Sequence, residues 1–156
     1  MLRSCAQELA ENTSEIAGYS VLLTDEDGIV IGSSDPSRLG TLHSPSMGVM
    51  QTRRTEITTL EQADRLPGGV RPGITLPISL AGRVVGSIAI AGPPDEVSRL
   101  GRLVQKQAEL LLRENALLRS SLMREQAIQE LILEIAAFDP LQAEESLLLM
   151  RGRALG

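Results

Sequence analysis

The sequence predicts an α+β domain: a five-stranded antiparallel sheet with short inserted helices, preceded by one helix and followed by long coiled-coil-like ones. Three observations carry this. The apolar period is helical at both ends, it alternates by two in the interior, and a loop-rich stretch separates the alternating segments. At 156 residues the chain has room for one ordinary domain with a helical extension.

The first helix rests on Leu2, Ala6, Leu9, Thr13 and Ile16, spaced 4, 3, 4 and 3, with Gly18 where a left-handed cap is expected. Tyr19–Thr24 and Ile29–Ser33 read as a hairpin around the Asp25–Gly28 turn. Asp35–Gly48 is loop-rich; Ser44 reads as an N-cap with Pro45 at the first helical position, which puts His43 just before a helix. Thr55–Leu60 is a third candidate strand, and Pro67–Gly73 a loop. Ile74, Leu76, Ile78 and Leu80 alternate, Ala81-Gly82 turns the chain, and Arg83–Ala91 returns. Pro77 implies an edge position or a bulge. From there to Phe138 the pattern is helical, supported by the pairs Asp95/Arg99 and Glu109/Arg113, with a break expected near Met123–Gln126. Pro140 stops it, and Glu144–Leu155 begins another helix. This order of elements is the plan of PAS-like sensor modules.

Composition excludes several function classes. Trp is absent, and one Tyr and one Phe leave little for stacking on bases, sugars or flavins. Net charge −5 and a pI near 4.9 argue against gripping nucleic acid or an anionic membrane. One Cys and one His rule out an internal disulfide, a Cys-rich zinc site and a His cluster, so neither metal nor cofactor is expected. The N-terminus is too polar for a signal peptide and no apolar run approaches ~20 residues, so a soluble cytoplasmic chain is expected. A catalytic triad would need His43 with Ser33, Ser34 or Ser44 and Asp35. No nucleophile elbow or phosphate loop accompanies them, and no enzyme is expected.

Arg38 and His43 sit five apart in the loop-rich segment. A guanidinium fork and an imidazole near a helix N-terminus can make a small anion site. A surface Arg beside Asp35 and a His satisfied by backbone is the competing reading, and spacing leaves both open. Gly73 and Gly86 mark close approach of a ligand or a second backbone, or a bulge. On the long helix, Val104, Ala108, Leu111, Asn115, Leu118 and Leu122 step 4, 3, 4, 3, 4, with Asn115 at an a position. That is the seam of a parallel homodimer, joined by Leu2–Ile16. Leu103, Leu110 and Leu117 are then left to pack on the sheet.

Two blocks go beyond element order. DEDGIVIGSSDPSRLGTLH (Asp25–His43) resembles the "D..G.IIAS.D..RIG..H" signature of the sugar-diacid recognition domain of bacterial carbohydrate-diacid regulators, which are transcription factors. Gly69–Val97 resembles that family's "GVKPGINLPI…G.VIGVIGITG.PEEV" block, and 100–112 its leucine-rich helix. The end, FDPLQAEESLLLMRGRALG, is similar to the start of the regulator's middle domain, as expected of a piece of a longer protein. The resemblance implies a sensor over 1–122, a helical linker and the start of a following domain over 123–156, and a small sugar diacid or hydroxy acid such as glucarate, galactarate or glycerate as ligand. It implies Arg38, His43, Gly73, Ile74 and Thr75 as ligand-binding residues. A DNA-binding domain would lie outside this chain, and this segment is expected to touch neither nucleic acid nor membrane. Two departures stand out: HSPS (His43–Ser46) where the family continues HEGA, and Thr75 in place of Asn. They favour the alternative, a dimerisation or scaffolding module with a degenerate pocket. Arg54 and Arg71 are both open as partners of a second carboxylate.

Overall fold

A computed structural model describes residues 2–137. Helix α1 (Leu2–Ala17) ends at Gly18, whose φ of +77° and N–H bond to Ser14 O (2.8 Å) make the expected cap. Strands β1 (Val21–Thr24) and β2 (Val30–Ser33) form the first hairpin. A 3₁₀ turn (Pro36–Arg38), α2 (Ser44–Thr52), β3 (Glu56–Thr58) and α3 (Leu60–Arg65) occupy the middle. Strands β4 (Gly73–Leu80) and β5 (Arg83–Ala91) form the second hairpin, and α4 runs Pro94–Ala136. The expected strand at Thr55–Leu60 is cut short because Thr59 and Gln62 form the capping box that starts α3. His43, one residue earlier than expected, is the N-cap of α2.

The five strands make one antiparallel sheet in the order β2-β1-β5-β4-β3, a PAS-like plan. Pro77 lies where β4 has left β3, which pairs only with Gly73–Thr75, and a bulge follows between Ile78 and Ser79. Its missing N–H therefore breaks no ladder between two strands, and its carbonyl accepts from Gln105 Nε2 at 2.6 Å.

Contacts divide the chain into a compact unit, Met1–Glu114, and a second, Asn115–Gly156. In the first, cross-strand rows Val21/Ile90/Ile74 and Leu23/Ile88/Leu76 build a dry face. Leu2, Ala6 and Ala10 of α1 and Val97, Val104, Ala108 and Leu112 of α4 cover it. Burial of this apolar area is the main stabilising term of the unit.

This packing corrects two expectations about α4. Val104 and Ala108 are 4% and 1% exposed inside their own chain's core, so they are not free for a dimer seam. Leu103, Leu110 and Leu117, expected on the sheet, are 66%, 53% and 67% exposed. Both stripes satisfy the helical period. Gly101 and Ala108 in one of them let the helix backbone approach the strands, which large leucines would hold off. Likewise Ile16 of the expected α1 seam is exposed, while Ala10 is buried in its place. Helix α4 also has no break at Met123–Gln126. The apolar register changes there, but no Pro or Gly interrupts the backbone ladder after Gly101. The Pro140 stop and the Glu144–Leu155 helix lie outside the described residues.

Candidate functional site

On its other face the same sheet carries smaller and more polar residues around one leucine: Leu22, Ala89 and Thr75 in one row, Thr24, Ser87 and Pro77 in the next. Loops and α2 roof this face over a pocket of about 450 Å³ of atom-free space, open mouth included. Its wall includes Arg38, His43, Asp35, Arg71, Thr58 and Thr75.

Each polar side chain has a local reason to be there. The 3₁₀ turn begins at Asp35, whose Oδ1 accepts from Ser37 N–H (3.1 Å) and Ser37 Oγ (2.7 Å). Those bonds, more than the nearby arginines, hold its carboxyl below the usual carboxylate range. The turn presents Arg38, whose Nη1 donates to Gly69 O at 3.1 Å while its Nε is buried with no partner. A buried donor without an acceptor costs free energy that an incoming acceptor would recover. Arg71, on the loop before β4, donates to Ser20 Oγ (2.9 Å) and stands 3.8 Å from Asp35.

His43 sits at the back of the site, 5% exposed. Burial first, and the Arg38 charge second, push its pKa down to about 4, so the imidazole is neutral at pH 7. It therefore does not supply the second cation that its residue type promised. Its Nδ1 is 2.7 Å from Ser46 Oγ, Ser87 Oγ donates to Ser46 Oγ at 2.7 Å, and Thr24 Oγ1 is 2.7 Å from Ser87 Oγ. Ser46 Oγ, which accepts from Ser87, can either donate to Nδ1 or accept from it, so the bond fixes the ring's orientation and leaves both tautomers open to it. The site thus offers one neutral, oriented imidazole together with the guanidinium groups of Arg38 and Arg71.

Of the sequence-predicted residues, Arg38, His43, Gly73, Ile74 and Thr75 all border this pocket. The Ile74 side chain nevertheless belongs to the helix-covered core, where it is 3% exposed. Gly73 and Gly86 answer to backbone: an added Cβ would fall 2.1 Å from Ile90 O and 2.2 Å from Thr24 O respectively. Arg71 lines the pocket and Arg54 does not. Sequence reasoning missed the network of Thr24, Ser46 and Ser87. The available signal was a serine at position 87 inside an otherwise apolar strand. Among the described residues no three His, Cys, Asp or Glu side chains gather to hold a metal ion, and no helix is long and apolar enough to cross a membrane.

A PAS-like sheet with a cationic pocket opposite its helix-covered face has the plan of a sensor-like domain. The chain belongs to the family described as "Putative sugar diacid recognition", which it matches over residues 1–135, a regulator-type sensing family. It is 33% identical over 131 residues to the Carbohydrate diacid regulator of Escherichia coli K12, covering 81% of this chain and 34% of that protein. It is 30% identical over 132 residues to an uncharacterized protein of Haemophilus influenzae, covering 83% and 35%. The chain thus spans about a third of the length of the curated relatives it matches. Its fold is similar to the E. coli DhaR(N)–DhaL complex structure (TM-score 0.60, 16% identity, 83% of this chain and 55% of that one). It is also similar to residues 122 to 287 of a methyl-accepting chemotaxis protein (TM-score 0.57, 14% identity, 75% and 92%).

Proposed function

We propose that this chain is the cytoplasmic ligand-sensing segment of a bacterial transcription regulator. It binds a small sugar diacid or hydroxy acid of the glucarate, galactarate or glycerate type. The observation that carries this is the Arg38 guanidinium, with its buried, unpartnered Nε, lining the same pocket as the neutral imidazole of His43. A carboxylate oxygen satisfies the first, and a hydroxyl of the same ligand, able to donate or accept, meets the other. Thr58 and Thr75 add hydroxyls suited to the hydroxyls of an aldaric or aldonic acid. The HSPS departure supports binding rather than a degenerate pocket, because its Ser46 is fully buried and holds His43 Nδ1.

Binding would favour one arrangement of the flanking helices, and a DNA-binding domain outside this chain would receive the change. Gln7 of α1 supplies a route. Its Nε2 donates to Ser33 O and its Oε1 accepts from Ser33 N–H, both at 2.9 Å, and Ser33 lines the pocket. A homodimer through α4 completes the proposal. Leu103 and Leu110 are exposed within the first unit, and Leu118 and Leu122 of the predicted seam are exposed beyond it. A chain that sediments as a monomer at tens of micromolar overturns the dimer.

The sensor reading is tested by thermal shift and calorimetry with glucarate, galactarate, glycerate, tartrate and a neutral sugar. A ligand at 100 times its Kd stabilises by ~2.7 kcal/mol, a rise of roughly 5–10 °C for a domain of this size. One acid should give such a shift, and Arg38→Ala should abolish it without unfolding the chain. Unchanged affinity in Arg38→Ala removes that residue from the site. A panel without any response leaves the fold and makes the chain a dimerisation module.

A further inference from the structure

We propose that Arg71 is the residue that tells a dicarboxylate from its monocarboxylate counterpart, and that Asp35 competes with the ligand for it. The inference rests on the reading of the pocket as an acid site and specifies how many carboxylates it takes.

Arg71 reaches the pocket from the loop before β4, and Arg38 from the turn after β2. The Arg38 Nη1 bond to Gly69 O ties the two segments together (3.1 Å), so the two guanidiniums belong to one constructed wall. They differ in freedom. Arg38 has its Nε buried, whereas the Arg71 side chain is 52% exposed, held by Ser20 Oγ at 2.9 Å and facing Asp35 across 3.8 Å. At that separation and exposure the pair is weak and easily exchanged. Asp35 does not need Arg71, because Ser37 N–H and Oγ already bind its Oδ1. Arg71 can therefore turn to a ligand without leaving a buried carboxylate unpaired.

Charge then decides the preference. Arg38, Arg71 and Asp35 line the pocket beside a neutral His43, which leaves one formal positive charge. A monocarboxylate on Arg38 neutralises the site while Arg71 stays on Asp35. A dicarboxylate brings one more negative charge, and Arg71 is the remaining lining cation that can meet it. The Asp35 carboxylate thus stands where it competes with the second ligand carboxylate. A bidentate guanidinium–carboxylate pair is the contact most sensitive to replacing a carboxylate by CH₂OH.

The test is calorimetry on the full chain with galactarate and galactonate, which differ only in that one terminal group, and with glycerate. Arg71→Gln should weaken galactarate roughly 10- to 100-fold and leave galactonate within about twofold. Asp35→Asn should do the opposite, strengthening galactarate by roughly two- to fivefold and shifting the ratio further toward it. Equal effects of Arg71→Gln on both acids, no effect on either, or weaker galactarate binding to Asp35→Asn would overturn the proposal and leave the acid site standing. A wild-type chain that binds glycerate alone overturns it as well. One that binds none of the three acids overturns the acid-site reading with it.

Discussion

Along β5, Ile88 and Ile90 face α1 and α4, while Ser87 and Ala89 face the opposite side, Ala89 in the pocket wall, and all four come from one continuous stretch of strand. The helix-covered face is filled by large aliphatic side chains that are essentially unexposed, including Leu23, Leu76, Ile78, Ile88 and Ile90. The opposite face is as well buried at Thr24, Ser46 and Ser87, yet it is held by hydroxyl-to-hydroxyl bonds, and the pocket opens beside them at Leu22, Ala89 and Thr75. Burial is common to both. One face uses it for cohesion, and the other to keep polar groups dry and oriented, where a ligand's charge is felt more strongly.

The contrast can be broken from either side. Leu76→Ala or Ile88→Ala should cost about 2–5 kcal/mol in chemical denaturation, from lost transfer energy plus the cavity left behind. Acid affinity of the molecules still folded should hardly change. A loss under 1 kcal/mol would mean that the dry face is not the main source of stability.

Acidification should probe the pocket face alone. The His43 pKa lies near 4 in the folded chain and near 6.5 unfolded, so the unfolded state binds the extra proton between those values. Its contribution to stability is flat above pH 6.5 and declines as the pH falls toward 4, by about 3 kcal/mol in all. His43→Gln should flatten that part of the profile. An unaltered pH profile in this variant would show that His43 is not buried neutral.

Ser87→Ala should cost about 1–3 kcal/mol, since it leaves Thr24 and Ser46 each short of a partner. It should also weaken acid binding, which Ile88→Ala at the adjacent position should not. Last and smallest, Leu103→Ala should lie within about 0.5 kcal/mol in dilute monomer, because its side chain is 66% exposed. A large loss there would restore the sequence-derived orientation of α4.

The element order, both hairpins and the Gly18 cap were legible because each depends on residues near one another in sequence. Period, turn chemistry and capping act over a few residues. The two motif blocks likewise marked the family. Three things were not legible. Which leucine stripe of α4 faces the sheet depends on how closely a backbone at Gly101 and Ala108 can approach distant strands. The hydroxyl chain from Thr24 to His43 joins β1, β5 and α2 across sequence separations of 63 and 41 residues. The charge of His43 followed from its burial and not from its residue type. Sequence by itself therefore determined the fold class and the family, and it named five residues that border one pocket. Tertiary structure alone decided which helix face is inside, that His43 is neutral, and that Arg71 rather than Arg54 reaches the pocket. The physical reason is that desolvation and packing are sums over neighbours that the chain brings together only when it folds.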